Sequence, residues 1–541
     1  MYLCYDIKGI QRFIYSVPKL KCVIGASGLI AGLDDHARGL TRDGVQSVFC
    51  AGGRGAFHCA TEAAADGLED QLIGLAHDVG LDIRIGRAEK LSDATQNADE
   101  LHPFCPLSLA GFPCAASGLW PVEKEQEIHP LIAKRIEVAR EDKFGRWLAG
   151  RIEDAEILEL TGQRHLRFIR NVNPDPEGES ENEIRRDERM ARAGEAALGN
   201  RNRWAVIAMD GNDMGKQFQA FKDLTKGLPN SDERLRDWSG EMSKSLEACT
   251  HSAFMNALKM VVKDWLETES DAGGFEDCIV EERDGNQVML VPFRPLILGG
   301  DDVVLLCHSS YALTFVETMA AEFQRLSRDA AKNATCQPLW PATGTELSIS
   351  AGILFCKTTF PLHLALPYAE SLLGNAKSQF RKDFVPGKRP TPAAVDWDVI
   401  TDSLVDTPTE RRNRELRFKD QELPLAGGEP MEIRLTQRPY LLLEKLEGHG
   451  SLRELFTVQD LLSELPKSIQ AQLLPALQRP WSERTAFFAS IAKRHKRLKD
   501  LLWEEGGSLG EGWMPSEKYR ATGVPDALML LEEDHRMAQT N

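Results

Sequence analysis

Short apolar runs alternate with stretches of helical spacing along the first hundred residues. Strand-like runs lie at 2–7, 45–50 and 82–87, and a pattern with helical spacing covers 25–40. Between two of the strands, Gly52-Gly53-Arg54-Gly55 predicts a tight turn, because glycine accepts the backbone angles that short hairpins need. With a second helical pattern after the hairpin, the predicted order is βαββαβ.

The same pattern begins again at Trp204, about 200 residues later. WAVIAMD (204–210) has the composition of a buried strand, and residues 295–307 form two strand patterns around a Gly-Gly-Asp-Asp turn. Helical patterns flank this hairpin, and further strands are predicted at 346–356 and 393–400. We therefore predict an α+β fold with two ferredoxin-like (βαββαβ) palm domains.

The rest of the chain predicts a connector and a tail. The segment between the two patterns is irregular and contains the acidic stretch 174–179, while 400–430 is polar and broken by Pro and Gly. Three amphipathic patterns between 452 and 503 predict a C-terminal helical bundle. The predicted domains are a first palm at 1–103, a connector at 104–200, a second palm at 201–400, and a linker with a helical domain at 401–541.

Composition narrows the class of protein. The chain has 541 residues, 65 Lys and Arg against 82 Asp and Glu, a net charge of −17, and 42% hydrophobic residues. These values are typical of a soluble globular protein and argue against one that coats nucleic acid by itself. The N-terminus has no signal-peptide pattern, and no apolar run approaches the roughly 20 residues of a membrane span. We expect a cytoplasmic protein with no membrane partner.

The 11 cysteines lie mostly in apolar contexts, which predicts buried, reduced thiols. Cys105 and Cys114, with His102 nearby, are part of a possible zinc site. No CxxC pair completes that site, so the sequence leaves zinc binding there open.

Three aspartates carry the strongest chemical signal. Asp210 ends a predicted strand, and Asp301 and Asp302 lie at the tip of the second palm's hairpin. In a βαββαβ sheet the first strand lies beside this hairpin, so the three carboxylates meet and repel one another. A hard cation such as Mg²⁺ or Mn²⁺ relieves that repulsion, and the predicted chemistry is two-metal nucleotidyl transfer. The alternative is a solvated turn, since Gly and Asp are common turn residues.

Other residues near this turn suit phosphate groups. Gly299 and Gly300 leave room for a phosphate chain to approach the backbone, and Gly211 and Lys216 follow the Asp210 strand. Lys377, on a predicted helix, is placed to reach a triphosphate, although a single lysine is more often a solvated surface residue.

The first palm differs from the second. It keeps Asp6 at the end of its first strand, but its hairpin turn has no carboxylate. We expect it to bind a nucleotide without catalysing transfer.

Three stretches carry a family resemblance: 6–30, 204–216, and 298–306 together with 369–377. Over residues 1 to about 400 the sequence resembles the large palm-domain subunit of type III CRISPR effector complexes, the cyclic oligoadenylate synthetase. The resemblance implies ATP as substrate, 3′–5′ linkage into cyclic second messengers, and metal ligation by the three aspartates. It also implies that Gly299 and Gly300 border the phosphates and that Ser27 lies near a nucleotide from the first palm. The implied partners are the other subunits of the complex, with guide RNA and target RNA met mainly through them.

The sequence departs from that family in two ways. The first palm starts at residue 2 without a preceding HD nuclease domain, so we expect no cleavage of single-stranded DNA. The family's zinc module is reduced to Cys105 and Cys114.

Three alternatives therefore stay open. They are a stand-alone palm-domain cyclase of a related defence system, a diguanylate-cyclase relative that uses GTP, and a non-catalytic scaffold for guide RNA and neighbouring subunits. The clustered carboxylates argue against the scaffold. Ring size and the choice between ATP and GTP are not encoded in any motif that we recognise.

Overall fold

The structure, a computed structural model, describes most of the chain. The described residues are 1–17, 19–100, 112–113, 121–122, 130–170, 181–198, 203–272, 276–282, 285–335, 338–381, 390–401, 406–424, 428–446, 448–495, 513–515 and 519–532. Residues 105 and 114 and the acidic stretch 174–179 lie outside them, as do the last residues of the basic run 493–497.

The first palm has the predicted element order. Its elements are β1 (Tyr2–Lys8), α1 (Ile10–Tyr15), α2 (Leu20–Gly39), β2 (Val45–Ala51), β3 (Arg54–Cys59), α3 (Glu62–Val79), β4 (Asp82–Ala88) and α4 (Leu91–Glu100). The four strands form an antiparallel sheet in the order β2-β3-β1-β4, with the hairpin at one edge. This is the strand order of a ferredoxin-like sheet.

Within its described residues, the connector contains short strands and four helices. Its elements are β5 (Phe112–Pro113), β6 (Pro121–Val122), α5 (Pro130–Glu141), α6 (Lys143–Ile152), α7 (Ala155–Leu160), β7 (His165–Phe168) and α8 (Glu181–Ala197). Strand β7 joins a separate three-stranded sheet with two strands from the second palm's insertion.

The second palm repeats the first on a larger scale. Its elements are β8 (Arg203–Gly211), α9 (Met214–Thr225), α10 (Ser231–Ala272), β9 (Ile279–Glu281), β10 (Gln287–Val291), β11 (Phe293–Gly299), β12 (Asp302–His308), α11 (Ala312–Asn333), β13 (Ile349–Lys357), α12 (Leu362–Phe380) and β14 (Ala394–Val399). The order β11-β12-β8-β13 matches the first palm strand for strand, and β14 extends the sheet in parallel to β13.

The C-terminal part contains the expected helices and also a sheet that the sequence pattern did not predict. Its elements are α13 (Pro408–Glu415), β15 (Arg417–Pro424), β16 (Pro430–Arg434), β17 (Tyr440–Leu441), α14 (Leu452–Ser463), α15 (Lys467–Leu477), α16 (Trp481–Ala492), β18 (Trp513–Pro515), β19 (Tyr519–Thr522) and α17 (Val524–Glu532). Four of these strands form the sheet β15-β16-β19-β18. Helix α16 ends at Ala492, and the part of the third amphipathic pattern beyond residue 495 lies outside the described residues.

The two palms share one apolar core. Val206, Val304 and Leu354 of the second sheet belong to the same buried cluster as Val23 of α2 and Leu366 of α12. The other face of that sheet packs on α10 and α11 in a second cluster. Because one core joins the palms, the positions of their hairpin turns are fixed relative to each other. No helix among the described residues has the length and apolarity needed to cross a bilayer.

Candidate functional site

The tip of the β11–β12 hairpin is the centre of the site. Gly299 pairs with Asp302 as the last pair of the ladder, which leaves Gly300 and Asp301 as a two-residue turn. Gly300 has φ +62°, a left-handed angle that favours glycine. Val303 pairs with Met209 of β8. The next position of the antiparallel ladder places Asp302 opposite Asp210, as the sequence predicted.

Asp301 and Asp302 both interact with Asp210. The Asp301 carboxyl is hydrogen-bonded to that of Asp210, and burial together with the Asp210 charge raises the pKa of Asp301 well above its ordinary value. Burial and the same neighbour raise the pKa of Asp302 to about 7. A Cβ at Gly211 would lie 2.6 Å from Cε of Met214 and 2.8 Å from Oδ2 of Asp301, so a larger residue there would displace these side chains. A cluster of this kind favours either a bound proton or a bound cation.

Lys377 completes the charge arrangement from α12. Its Nζ contacts Oδ2 of Asp210 and donates to the Gly211 carbonyl oxygen at 2.7 Å. The sequence placed Lys377 near a triphosphate, and the structure brings it to the aspartates themselves. Its ammonium offsets part of their negative charge.

Lys216 is held differently from the prediction. Its Nζ lies 2.6 Å from Oδ1 of Asp213, one turn before it at the start of α9. The other oxygen of Asp213 accepts from the backbone and side chain of Thr391, at 3.3 and 2.5 Å. Lys216 is therefore bound to a buried carboxylate of its own loop.

The first palm carries an ion pair at the corresponding place. Asp6 and Arg54 are cross-strand partners, and Nε and Nη2 of Arg54 donate to the two Asp6 oxygens at 3.1 and 3.2 Å. Arg54 begins β3 as Asp302 begins β12. A guanidinium thus stands where the second palm has a carboxylate, and it pairs with Asp6.

The hairpin turns of the two palms face each other. A Cβ added to Gly299 would lie 4.0 Å from Cα of Gly52, the first residue of the other turn. Ser27 of α2 donates to the carbonyl oxygen of Leu296 on β11, so this predicted nucleotide contact lies at the junction between the palms. Substrate bound between the turns would touch both domains.

Two further residues of the site were not predicted. Asn212 is buried, and its amide donates to the hydroxyls of Ser348 and Ser350 at 2.8 and 3.0 Å, which ties the loop after Asp210 to β13. Glu370 of α12 lies near Asp302, whose pKa it helps to raise, and it accepts a hydrogen bond from Tyr15 of the first palm. The seven-residue spacing from Glu370 to Lys377 on one helix face was the available signal.

The donor set suits a hard divalent cation, although the side chains are not preorganised around one. Among the residues that the structure describes, no three His, Cys, Asp or Glu side chains have the arrangement of a ready-made metal site. Asp210 is instead bonded to Lys377 and Asp301. Mutual repulsion favours the protonated form of clustered carboxylates. Carboxylate oxygens are nevertheless the ligands that Mg²⁺ and Mn²⁺ prefer.

Asp302→Asn should stabilise the metal-free protein at alkaline pH. A folded-state pKa of about 7 means that the Asp302 carboxyl favours folding below its ordinary pKa, and that this contribution is lost as pH rises through 7. Asparagine does not ionise. In EDTA, the melting temperature of Asp302→Asn should match wild type near pH 4 and exceed it by a few degrees at pH 8. A variant that melts below wild type at pH 8 would contradict this electrostatic description.

Comparison with known proteins supports this description of the second palm. Residues 203–385 match the family model for the second palm domain of Cas10/Cmr2. No curated protein matches the chain.

Several solved structures are similar in fold. A Csm1–Csm4 cassette in complex with cA4 is 15% identical over 99% of this chain and 70% of that chain, with a TM-score of 0.47. Csm1 in T. onnurineus is 15% identical with the same coverage and a TM-score of 0.44. The apo Csm1–Csm4 cassette is 13% identical, again over 99% and 70% of the two chains, with a TM-score of 0.42.

Proposed function

We propose that this chain, a Cas10-like palm-domain subunit by its match over residues 203–385, is a nucleotidyltransferase that converts ATP to cyclic oligoadenylate. The observation that carries the proposal is the cluster of Asp210, Asp301 and Asp302 at a hairpin tip that faces a second palm. A scaffold would gain nothing from a carboxylate at Asp210 that raises the pKa values of both Asp301 and Asp302.

The residues divide into two groups by what they can do. Asp210, Asp301 and Asp302 would hold Mg²⁺ or Mn²⁺, which when bound activates an attacking hydroxyl and neutralises a leaving pyrophosphate. Lys377 would exchange its contact with Asp210 for the triphosphate once the aspartates are neutralised. Gly299 and Gly300 present backbone without side chains, so phosphates can approach the turn closely.

The facing arrangement supports a donor and an acceptor nucleotide. One nucleotide would lie on the second palm's turn and the other against Gly52 and Arg54 of the first palm. The shared core holds the two turns at a fixed separation, which supplies the orientation that makes a reaction between two bound substrates efficient. The new phosphodiester bond would form between the 3′ oxygen of one nucleotide and the α-phosphorus of the other, with pyrophosphate leaving.

The partners we propose are the other subunits of a type III effector complex, with guide RNA and target RNA bound mainly through them. The chain's net charge of −17 supports this division, because an acidic protein binds phosphate backbones poorly by itself.

The test is a reaction of the assembled complex with ATP, Mg²⁺ and target RNA, with products identified by mass spectrometry. We expect 3′–5′ linked adenylate rings, loss of product in EDTA, and little product from GTP under the same conditions. Product from GTP alone would favour the diguanylate-cyclase alternative. Absence of any phosphodiester product from a complex that binds target RNA would favour the scaffold.

A further inference from the structure

Helix α1 is a short element that contacts both palms. It follows β1 after Gly9, and its first residue, Ile10, packs against the first palm's turn. A Cβ on Gly53 would lie only 2.2 Å from Cδ1 of Ile10. The last residue of the helix, Tyr15, is 7% exposed and points into the second palm. One short helix therefore touches the first palm's turn at one end and the second palm at the other.

The contact at the second palm is a single hydrogen bond near the aspartates. The Tyr15 hydroxyl donates to Oε1 of Glu370 at 3.1 Å. Glu370 lies seven residues before Lys377 on α12, which is about 10 Å along the helix on the same face. Lys377 contacts Asp210, and Glu370 interacts electrostatically with Asp302. The face of α12 toward the site thus carries two charges: the positive charge of Lys377 acts on Asp210, and the negative charge of Glu370 acts on Asp302.

We infer that Tyr15 of the first palm is a positioning residue for the second palm's reaction, acting through Glu370 to fix the carboxylate of Asp302. The inference rests on the proposed function and deepens it, because it makes the second palm's site depend on a side chain from the first.

The physical argument is one of orientation. Glu370 is a partly buried carboxylate whose charge acts on Asp302, and repulsion would turn the two side chains apart. The Tyr15 hydroxyl gives Glu370 a fixed donor, so its charge faces Asp302 from one direction only. Because α1 also packs on Gly53, a nucleotide that moves the first turn would move Tyr15, and the second site would respond.

Tyr15→Phe removes the hydroxyl and keeps the ring. We expect its kcat for adenylate linkage to fall about tenfold, with KM for ATP changed less than twofold, since misplacement of a reacting group affects the chemical step. Glu370→Gln should likewise lower kcat and leave KM nearly unchanged. The double variant should be no slower than the slower single variant, because the two residues act as one unit.

Tyr368→Phe is the matched control. It lies on the same helix, and its hydroxyl also donates to a carboxylate, Oδ2 of Asp398 at 2.7 Å, away from the aspartate cluster. It should lose stability as Tyr15→Phe does but keep the wild-type kcat. Equal loss of kcat in both tyrosine variants, or wild-type kcat in Tyr15→Phe, would overturn the inference.

Amide hydrogen exchange separates this inference from the proposed function. Exchange at residues 299–304 should speed up at least threefold in Tyr15→Phe and stay unchanged in Tyr368→Phe, whether or not the protein makes product. If wild type makes no adenylate but the exchange pattern appears, the proposed function fails and the positioning contact stands. If wild type is active and exchange at the hairpin is unaffected, the positioning role fails alone.

Discussion

Asp302→Asn should reduce adenylate linkage by the assembled complex by about a thousandfold or more. Asp302 begins β12, opposite Asp210, and it belongs to the cluster proposed to hold the metal. A divalent ion contributes several kcal/mol of charge stabilisation to phosphoryl chemistry, and a thousandfold loss corresponds to about 4 kcal/mol. Asparagine keeps the shape but loses the charge that attracts the cation. The measurement is the initial rate of product formation with ATP, Mg²⁺ and target RNA.

Asp6→Asn is the matched control for this loss. Asp6 holds the corresponding strand position in the first palm, where Arg54 neutralises it. Its rate should stay within about tenfold of wild type if the first palm only binds a nucleotide. Asp302→Asn should also remain at least as stable as wild type at pH 8, so inactivity would not reflect unfolding. Substantial activity in Asp302→Asn would mean that Asp302 is not a ligand of the proposed metal.

The juxtaposition of the aspartates could be predicted because it depends only on topology. A βαββαβ order fixes the first strand beside the hairpin, so the end of one and the tip of the other must meet. What the side chains do there depends on neighbours distant in sequence. Lys377 bonds to Asp210 and Lys216 to Asp213, and no local pattern distinguishes these partners from a phosphate.

Other features were hidden because their sequence signals are weak. Strand β15, RFKDQELP, is polar and has no apolar alternation, so the C-terminal sheet gave no strand pattern. The contact between Tyr15 and Glu370 joins residues 355 apart. Such contacts follow from how the two palms pack, so the hydrophobic periodicity of one segment cannot predict them.

Among the residues that hold the site in place, Arg294 should be the one whose substitution destabilises the protein most. Arg294→Met should lower the free energy of unfolding by about 3–5 kcal/mol. Arg294 lies on β11, and its two terminal nitrogens donate to the two oxygens of Asp142 at 2.7 and 2.6 Å. Both side chains are almost completely buried, so methionine would leave Asp142 as a buried charge without this partner. The pair joins the connector to the β11–β12 hairpin, and its loss should lower the urea midpoint of unfolding.

The pH dependence of this pair gives a second check with a definite sign. Burial alone would raise the pKa of Asp142, but the charges of Arg294 and Arg170 hold it below its ordinary value. The pair's contribution is therefore present above about pH 4 and is lost as pH falls through the lowered pKa. In Arg294→Met the burial penalty is opposed only by Arg170 and the Gly145 N–H, so the difference from wild type should be largest near neutral pH and shrink in acid.

Two control variants separate pairing from burial. Arg325→Met removes an arginine whose side chain is 52% exposed and pairs with Glu322 at 2.8 Å, and it should lower the urea midpoint far less than Arg294→Met does. Arg294→Met combined with Asp142→Leu removes both charges and should recover much of the lost stability, because an apolar pair can replace a buried ion pair. A double variant as unstable as Arg294→Met would mean that the cost lies in lost packing of the arginine stem. The bidentate ion pair would then contribute little to the stability of β11.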